Sequence, residues 1–266
     1  MVFATPTLTD VEIRVHEAID QLREKLSYSV SSRKWIGLLS RVSRAKAIQG
    51  SNSIEGYNVT VEDALAAIDG EEPRDASSET WAAIVGYRDA MTYVLQLADD
   101  KHFGYSPGLI RSLHYMMAHY DLAKHPGRWR PGPVFVRNEA TGERVYEGPD
   151  VELVPGLMDE LIAELNSANS HPVMVRAAMA HLNLVMIHPF SDGNGRMARC
   201  LQSLVLARGG FSPRSSPASR STLGGINRNT TTCLLMLVRA AGIPHAMRPD
   251  GYVSVSPRTI DKPSLS

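Results

Sequence analysis

His188-Pro189-Phe190-Ser191-Asp192-Gly193-Asn194-Gly195-Arg196-Met197-Ala198-Arg199 decides how this chain is read. These twelve residues hold a histidine, a carboxylate, two glycines, an amide and two arginines. No apolar core requires that mixture. The run before it, Val175 to Ile187, is mostly apolar and predicts a buried helix, and Met197 to Leu206 predicts another. The stretch is therefore a Gly-rich loop between two helices, with its glycines just ahead of a helix N-terminus. Backbone N–H groups and the helix dipole hold phosphate at such a place.

A site that transfers a phosphate or nucleotidyl group needs a base, an acid to hold Mg²⁺, donors around the phosphates, and positive charge. His188 suits the base, because its side chain titrates near neutrality. Asp192 is a hard oxygen ligand for the metal. Gly193, Asn194 and Gly195 offer a tight turn of N–H groups, an anion nest. Arg196 and Arg199 stand three apart on a helix, share a face, and can grip phosphates. Taken singly, each has a plainer reading: a structural histidine, a solvated arginine, a turn. The ordered combination does not. His181, seven residues before His188, reads as a core or supporting residue and not as a metal ligand. No Walker-type loop, zinc-protease helix, nucleophile elbow or dinucleotide fingerprint occurs in the chain.

Working outward, most of the chain predicts helix. Thr9-Asp10 can cap a helix to about Leu26, with Val11, Ile13, Val15, Ala18, Ile19 and Leu22 as its apolar set. A second helix covers about Ser32 to Ile48, with Trp35, Ile36, Leu38, Leu39, Val42 and Ala45 inward. Ser51-Asn52-Ser53-Ile54-Glu55-Gly56 then reads as a helix ending at a glycine cap, with Glu55 solvated. Thr60 and Asp63 form a capping box for a short helix to Ile68. Asp69 to Ser78 is a surface loop, and Glu79 to Leu97 a long helix. Ser106-Pro107 starts the next helix, which Lys124 to Pro133 breaks. Val134-Phe135-Val136 and Arg144-Val145-Tyr146 flank Thr141-Gly142 and predict a β-hairpin. Asp150 to Asn166 is helical. The fold class is all-α with one short hairpin.

The chain has 266 residues and a formal net charge of zero, so composition argues against a dominant nucleic-acid surface. Its two cysteines, Cys200 and Cys233, have no metal spacing and no disulfide framework. With no signal-peptide pattern at the start and no membrane-length apolar run, a cytoplasmic setting is expected.

The motif is similar to the signature of the Fic family, H-P-F-x-[D/E]-G-N-G-R-x-x-R, at every defined position, and the surroundings agree over roughly residues 30 to 210. The resemblance implies a Fic-type helical core and transfer of AMP from ATP to a Ser, Thr or Tyr hydroxyl of a target protein. It implies His188 as the base and Asp192 as the holder of Mg²⁺ across the α- and β-phosphates. Asn194 with the Gly193 and Gly195 amides would form the anion hole. Arg196 would contact the phosphates and Arg199 the γ-phosphate, with Phe190 buried as an anchor. The hairpin, through Val134, Phe135, Val136, Val145 and Tyr146, corresponds to the flap that aligns a target segment as an added strand. Ser51, Glu55 and Gly56 match the inhibitory pattern [S/T]-x-x-x-E-[G/N]. A carboxylate paired with Arg199 would occupy the γ-phosphate's partner and leave ATP in a pose unfit for in-line attack.

The resemblance divides the chain into three parts. Residues 1–100 form a helical region carrying the inhibitory motif at about 44–56, 101–210 the Fic core, and 211–266 an atypical tail. Codons able to encode Gly210 to Gly225, read two bases later, permit a sequence like a Fic protein continuing past its motif helix. A change of reading frame near Gly210 is therefore expected. Three other functions stay open: a nucleotide-binding regulator without transfer, removal of AMP, and transfer of another phosphate-containing group. Family members often dimerise, so a homodimer is open too.

Overall fold

The computed structural model describes residues 3–27, 33–71, 77–137, 144–168 and 171–211. The tail from 212, with the expected change of frame, lies outside the described residues, as do the turn at Thr141-Gly142 and the tip of the acidic loop. Eight α-helices are described: α1 (Asp10–Ser27), α2 (Arg33–Ile54), α3 (Val61–Asp69), α4 (Ser78–Leu97), α5 (Pro107–Ala118), α6 (Val154–Asn166), α7 (Val173–Ile187) and α8 (Asn194–Leu206). A two-stranded antiparallel ladder, β1 (Phe135–Arg137) and β2 (Arg144–Glu147), stands between α5 and α6. It pairs Phe135 with Glu147 and Val136 with Tyr146, with an irregularity at Arg137.

α7 and α8 form the centre. Each is buried on nearly every side, α7 by apolar residues and α8 with Asn194, Arg196, Arg199 and Gln202 among its buried set. Buried residues of α7 include Met174, Ala177, Ala180 and Leu184, and those of α8 include Met197, Cys200, Leu201 and Leu204. One continuous core joins them to Ile84 and Tyr87 of α4, Ile110 and Leu113 of α5, Met158 and Leu161 of α6, and Ala45 and Ile48 of α2. Two arginines close helix ends by donating to orphan carbonyls. Arg208 Nη1 reaches Leu97 O, Ala98 O and Asp100 O at the end of α4, at 3.1, 3.0 and 2.6 Å. Arg176 Nη2 reaches Leu165 O on α6 at 2.8 Å.

The local start signals hold. Ser106 caps α5 with Pro107 in the first turn, and Thr60 and Asp63 form the reciprocal capping box of α3. Thr60→Ala should lower stability by about 1 kcal/mol, the usual size of a lost N-cap. Urea unfolding would check it, and an unchanged midpoint would count against the box.

In α1, Val11, Ile13, Val15 and Leu22 are exposed. The helix docks instead through the stripe His16, Ile19 and Arg23. Ile19 packs on the core, and Arg23 lies over the Phe211 ring and donates to Gly210 O at 2.7 Å. Of the apolar set only Ile19 is packed on the core, and the polar His16 is buried beside it. α2 runs on through Ile54 and the chain turns at the left-handed Gly56, the glycine-capped end that Ser51–Gly56 predicts. Ser51 lies in the last turn of α2 and Glu55 just past its end.

Candidate active site

Three elements deliver the motif. α7 ends at His188, whose backbone enters the left-handed region (φ 50°, ψ 58°) and whose N–H still donates to Leu184 O at 2.9 Å. That conformation is uncommon for a side-chain-bearing residue, and surrounding bonds must hold it. Arg130 does so. It is buried, and its Nε donates to His188 O at 2.9 Å while its own N–H donates to Pro189 O at 2.8 Å. The remaining nitrogens reach the base of the hairpin, Nη1 to Gly132 O at 2.7 Å and Nη2 to Pro149 O.

Phe190 is fully buried, as expected of a loop anchor. It stacks on His114, with ring centres 3.7 Å apart and planes 6° apart, and leans on Trp129. His114 also holds the loop's backbone. Gly127 N–H donates to Nδ1 at 2.9 Å, so the ring proton is on Nε2, which donates to Asp192 O at 3.0 Å. Burial pushes the His114 pKa down to about 4, which keeps this neutral tautomer at ordinary pH.

The loop re-enters helix at Gly193, in the left-handed region at φ 74°, a conformation glycine adopts without a Cβ penalty. Asp192 Oδ1 accepts Gly193 N–H at 2.7 Å. Asp192 Oδ2 faces two cations, Lys124 Nζ at 3.4 Å and Arg196 Nη2 at 3.5 Å. Burial opposes its ionisation, but Arg196 and Lys124 outweigh burial and hold the carboxyl below its usual value. Arg196 is fully buried, and its Nε and Nη1 lack a hydrogen-bond partner among the described residues. Buried donors of that kind suit an anion or an ordered water.

Asn194 differs from expectation. Its Oδ1 accepts Phe190 N–H at 2.9 Å, and its Nδ2 donates to Phe190 O at 2.8 Å. Both ends of the amide are committed to stapling the loop. What Asn194 can still offer an anion is its second Nδ2 proton and its backbone N–H, beside those of Gly193 and Gly195 at the start of α8.

The end of α2 meets this site. Arg199 Nη2 donates to Glu55 Oε1 at 2.7 Å and to Ser51 O at 2.9 Å, and Arg199 Nε donates to Ser51 Oγ at 2.7 Å. Gly56 follows in the turn, with its N–H bonded to Ser53 O. The carboxylate comes so close to α8 that a Cβ on Gly195 would lie 2.2 Å from Glu55 Oε1. Gly195 is therefore required for that approach as well as for any nest.

His188 is half-buried. Its Nδ1 donates to Val185 O at 3.2 Å, which leaves Nε2 as the proton acceptor. Burial shifts its pKa below the ordinary histidine value, with Arg130 adding to the fall, so the imidazole is neutral at pH 7. His181 bonds Gln202 Oε1 through Nδ1 at 2.7 Å inside the core, in keeping with a supporting role.

On the hairpin, the Tyr146 hydroxyl donates to Met186 O near the end of α7, and Arg144 covers the Phe135 ring. Val134 O accepts Gly148 N–H where the strands join. The side chains of Val136 and Val145 lie outside the described residues. Sequence reading missed Arg130, His114 and Lys124. Lys124 and Arg130 lie in a stretch that reads only as a loop, and His114 in a stretch that reads only as helix.

Among the described residues no three His, Cys, Asp or Glu side chains gather as a metal site. A divalent ion here would use the Asp192 carboxylate together with phosphate oxygens, a common way of holding Mg²⁺. The unsatisfied Arg196 N–H groups beside Asp192 fit a phosphate in that position.

Comparison with known proteins agrees with this geometry. The profile of the Fic/DOC family matches residues 105–206. The protein adenylyltransferase Fic of Aedes aegypti is 30% identical over 203 residues, covering 74% of this chain and 39% of that protein. That of Nematostella vectensis is 27% identical over 212 residues, covering 79% and 48%. The chain thus spans less than half the length of these curated relatives. Two solved structures share the fold. A Fic domain containing signaling protein from Bacteroides thetaiotaomicron has a TM-score of 0.63 at 22% identity, covering 85% of this chain and 94% of that one. Fic-1 from C. elegans has a TM-score of 0.66 at 21% identity, covering 87% and 72%. By the motif and the profile match, residues 105–206 form a domain of the Fic/DOC family.

Proposed function

We propose that this chain is a protein adenylyltransferase, moving AMP from ATP to a hydroxyl of a target protein, and that Glu55 holds it inactive. The observation that carries the reading is the meeting of Glu55 with Arg199 against Gly195 at the N-terminus of α8. In this scheme residues 101–210 are the catalytic core, residues 1–100 supply the inhibitory region, and the setting is the cytoplasm. The relatives named above are called adenylyltransferases, which supports the reading.

In the reaction, His188 Nε2 takes the proton of the acceptor hydroxyl. The freed oxygen bonds the α-phosphorus, and the bond to the β-phosphate bridging oxygen breaks, releasing pyrophosphate. Arg196 brings fixed positive charge against the phosphates, and the N–H groups at the start of α8 face the charge that develops on the non-bridging oxygens. Asp192 would hold Mg²⁺, which neutralises phosphate charge when bound. The hairpin would present the target segment as an extra strand. Arg199 would receive the γ-phosphate once Glu55 has left it.

The test is transfer of labelled AMP in a matched lysate by the Glu55→Gly variant with Mg²⁺, followed by mass spectrometry of the modified residues. Nucleotide binding with no labelled protein in any variant would sink the transferase reading in favour of a regulator.

A pH dependence follows. The base works when neutral, and the folded-state pKa of His188 is lowered. Transfer should therefore persist below the ordinary histidine value of about 6.5 and fall as pH drops through the lowered pKa. The nearby Glu55 carboxylate raises that pKa, so the acid limb of kcat/KM in Glu55→Gly should lie further toward acid. An acid limb above the ordinary value would contradict His188 as the base.

A further inference from the structure

Lys124 ends the short 3₁₀ turn Leu122–Lys124 and reaches Asp192 of the site. Its ammonium is surrounded by acceptors. Tyr57 OH lies at 3.2 Å, Tyr120 OH at 3.3 Å, Glu79 Oε1 at 3.3 Å, Asp192 Oδ2 at 3.4 Å and Asp121 Oδ2 at 3.8 Å. The two tyrosine hydroxyls also bond each other at 2.7 Å. Three ammonium protons thus face five acceptors, and Asp192 is among the more distant.

Two features of Asp192 matter beside this. Its Oδ1 already accepts Gly193 N–H at 2.7 Å, so Oδ2 is the less engaged oxygen and the one that faces the two cations. The partners of Oδ2, Lys124 and Arg196, both stand beyond the length of a close charge-assisted bond. Oδ2 is balanced by positive charge without being tightly ligated. If Lys124 withdraws, Glu79, Asp121 and two phenols still satisfy it, so its departure leaves no stranded buried charge.

We propose that Lys124 is a tethered counter-cation for Asp192, which a divalent ion must displace, so that this lysine sets the metal affinity of the site. The inference rests on Asp192 being the metal's ligand in the proposed function. Lys124 is a positioning residue here: it touches the ligand, not the reacting atoms.

The test uses the full chain carrying Glu55→Gly, with a non-hydrolysable ATP analogue, and titrates Mn²⁺ by the electron paramagnetic resonance signal of the free ion. Adding Lys124→Gln, which removes the charge but can still bond both phenols, should tighten Mn²⁺ binding about tenfold, the scale of one partly buried charge pair ceasing to compete. Lys124→Arg keeps the charge, and Tyr57→Phe keeps the ammonium while removing one of its acceptors. Both should stay within about twofold of the parent, since neither removes the competing cation. A merely structural lysine would give the opposite order, with Tyr57→Phe moving alongside Lys124→Gln. Unchanged or weaker Mn²⁺ binding in Lys124→Gln overturns the proposal, and weaker nucleotide binding in that variant would make Lys124 a phosphate ligand instead. This order of affinities can fail while AMP transfer proceeds, and can hold where no AMP is transferred, so the two readings fail separately.

Discussion

Glu55→Gly should raise AMP incorporation by about 10- to 100-fold, the factor matching a charge-assisted pair of roughly 1.5–3 kcal/mol. The pair in question is Arg199 Nη2 to Glu55 Oε1 at 2.7 Å, with both side chains largely shielded from water. While it stands, the guanidinium is already occupied by an anion that, on the proposed function, ATP would have to displace before its γ-phosphate docked. The substitution leaves the fold intact for a visible reason: Arg199 keeps Ser51 Oγ and Ser51 O, so no bare charge is buried. Incorporation of ³²P-AMP into protein is the readout, with thermal melting as a control. Equal incorporation in parent and variant, at matched melting temperature, would remove Glu55 from any inhibitory role.

His188→Ala, placed in the same activated background, should lower transfer by about 10²- to 10⁴-fold, the usual contribution of a general base. Nucleotide binding should survive, because no nucleotide-holding group proposed here is removed. The size of the loss depends on whether another base can stand in. His114 has both ring nitrogens engaged, with Gly127 N–H and Asp192 O, and burial keeps it neutral and fixed. His181 is enclosed in the core against Gln202. Neither can replace Nε2 of His188. Single-turnover transfer together with nucleotide titration separates the two effects. Transfer persisting within a few-fold of the background would show that the hydroxyl loses its proton elsewhere.

What the sequence made legible was local. Ser106-Pro107, Thr60 with Asp63, and the Gly-rich entry to α8 are chemical signals within one or two turns, and the structure uses them as read. The motif was legible because its residue types follow in order. What stayed hidden depends on distance in space. His114 lies 78 residues before Asp192, and nothing around it marks it as a loop support. Lys124 reads as part of a loop until folding carries it to Tyr57 and Asp192. The docking face of α1 was misread because an arginine stem and a histidine serve as its inner stripe, which counting apolar residues cannot detect. The commitment of the Asn194 amide to Phe190 needed coordinates, since the same residue in the same order is compatible with either role.

The buried guanidinium of Arg130 has a mechanical consequence. It bonds the carbonyls of Gly132 and Pro149 at the foot of the hairpin and the carbonyl of His188 at the end of α7. The hairpin foot and His188 therefore share one rivet. No hinge is available at that joint without breaking bonds to His188 itself, so bending is confined to the strands beyond it. A polypeptide that docks along the hairpin would meet a jig of fixed pitch. It would be selected by how its hydroxyl falls in register, because the base cannot travel to find it.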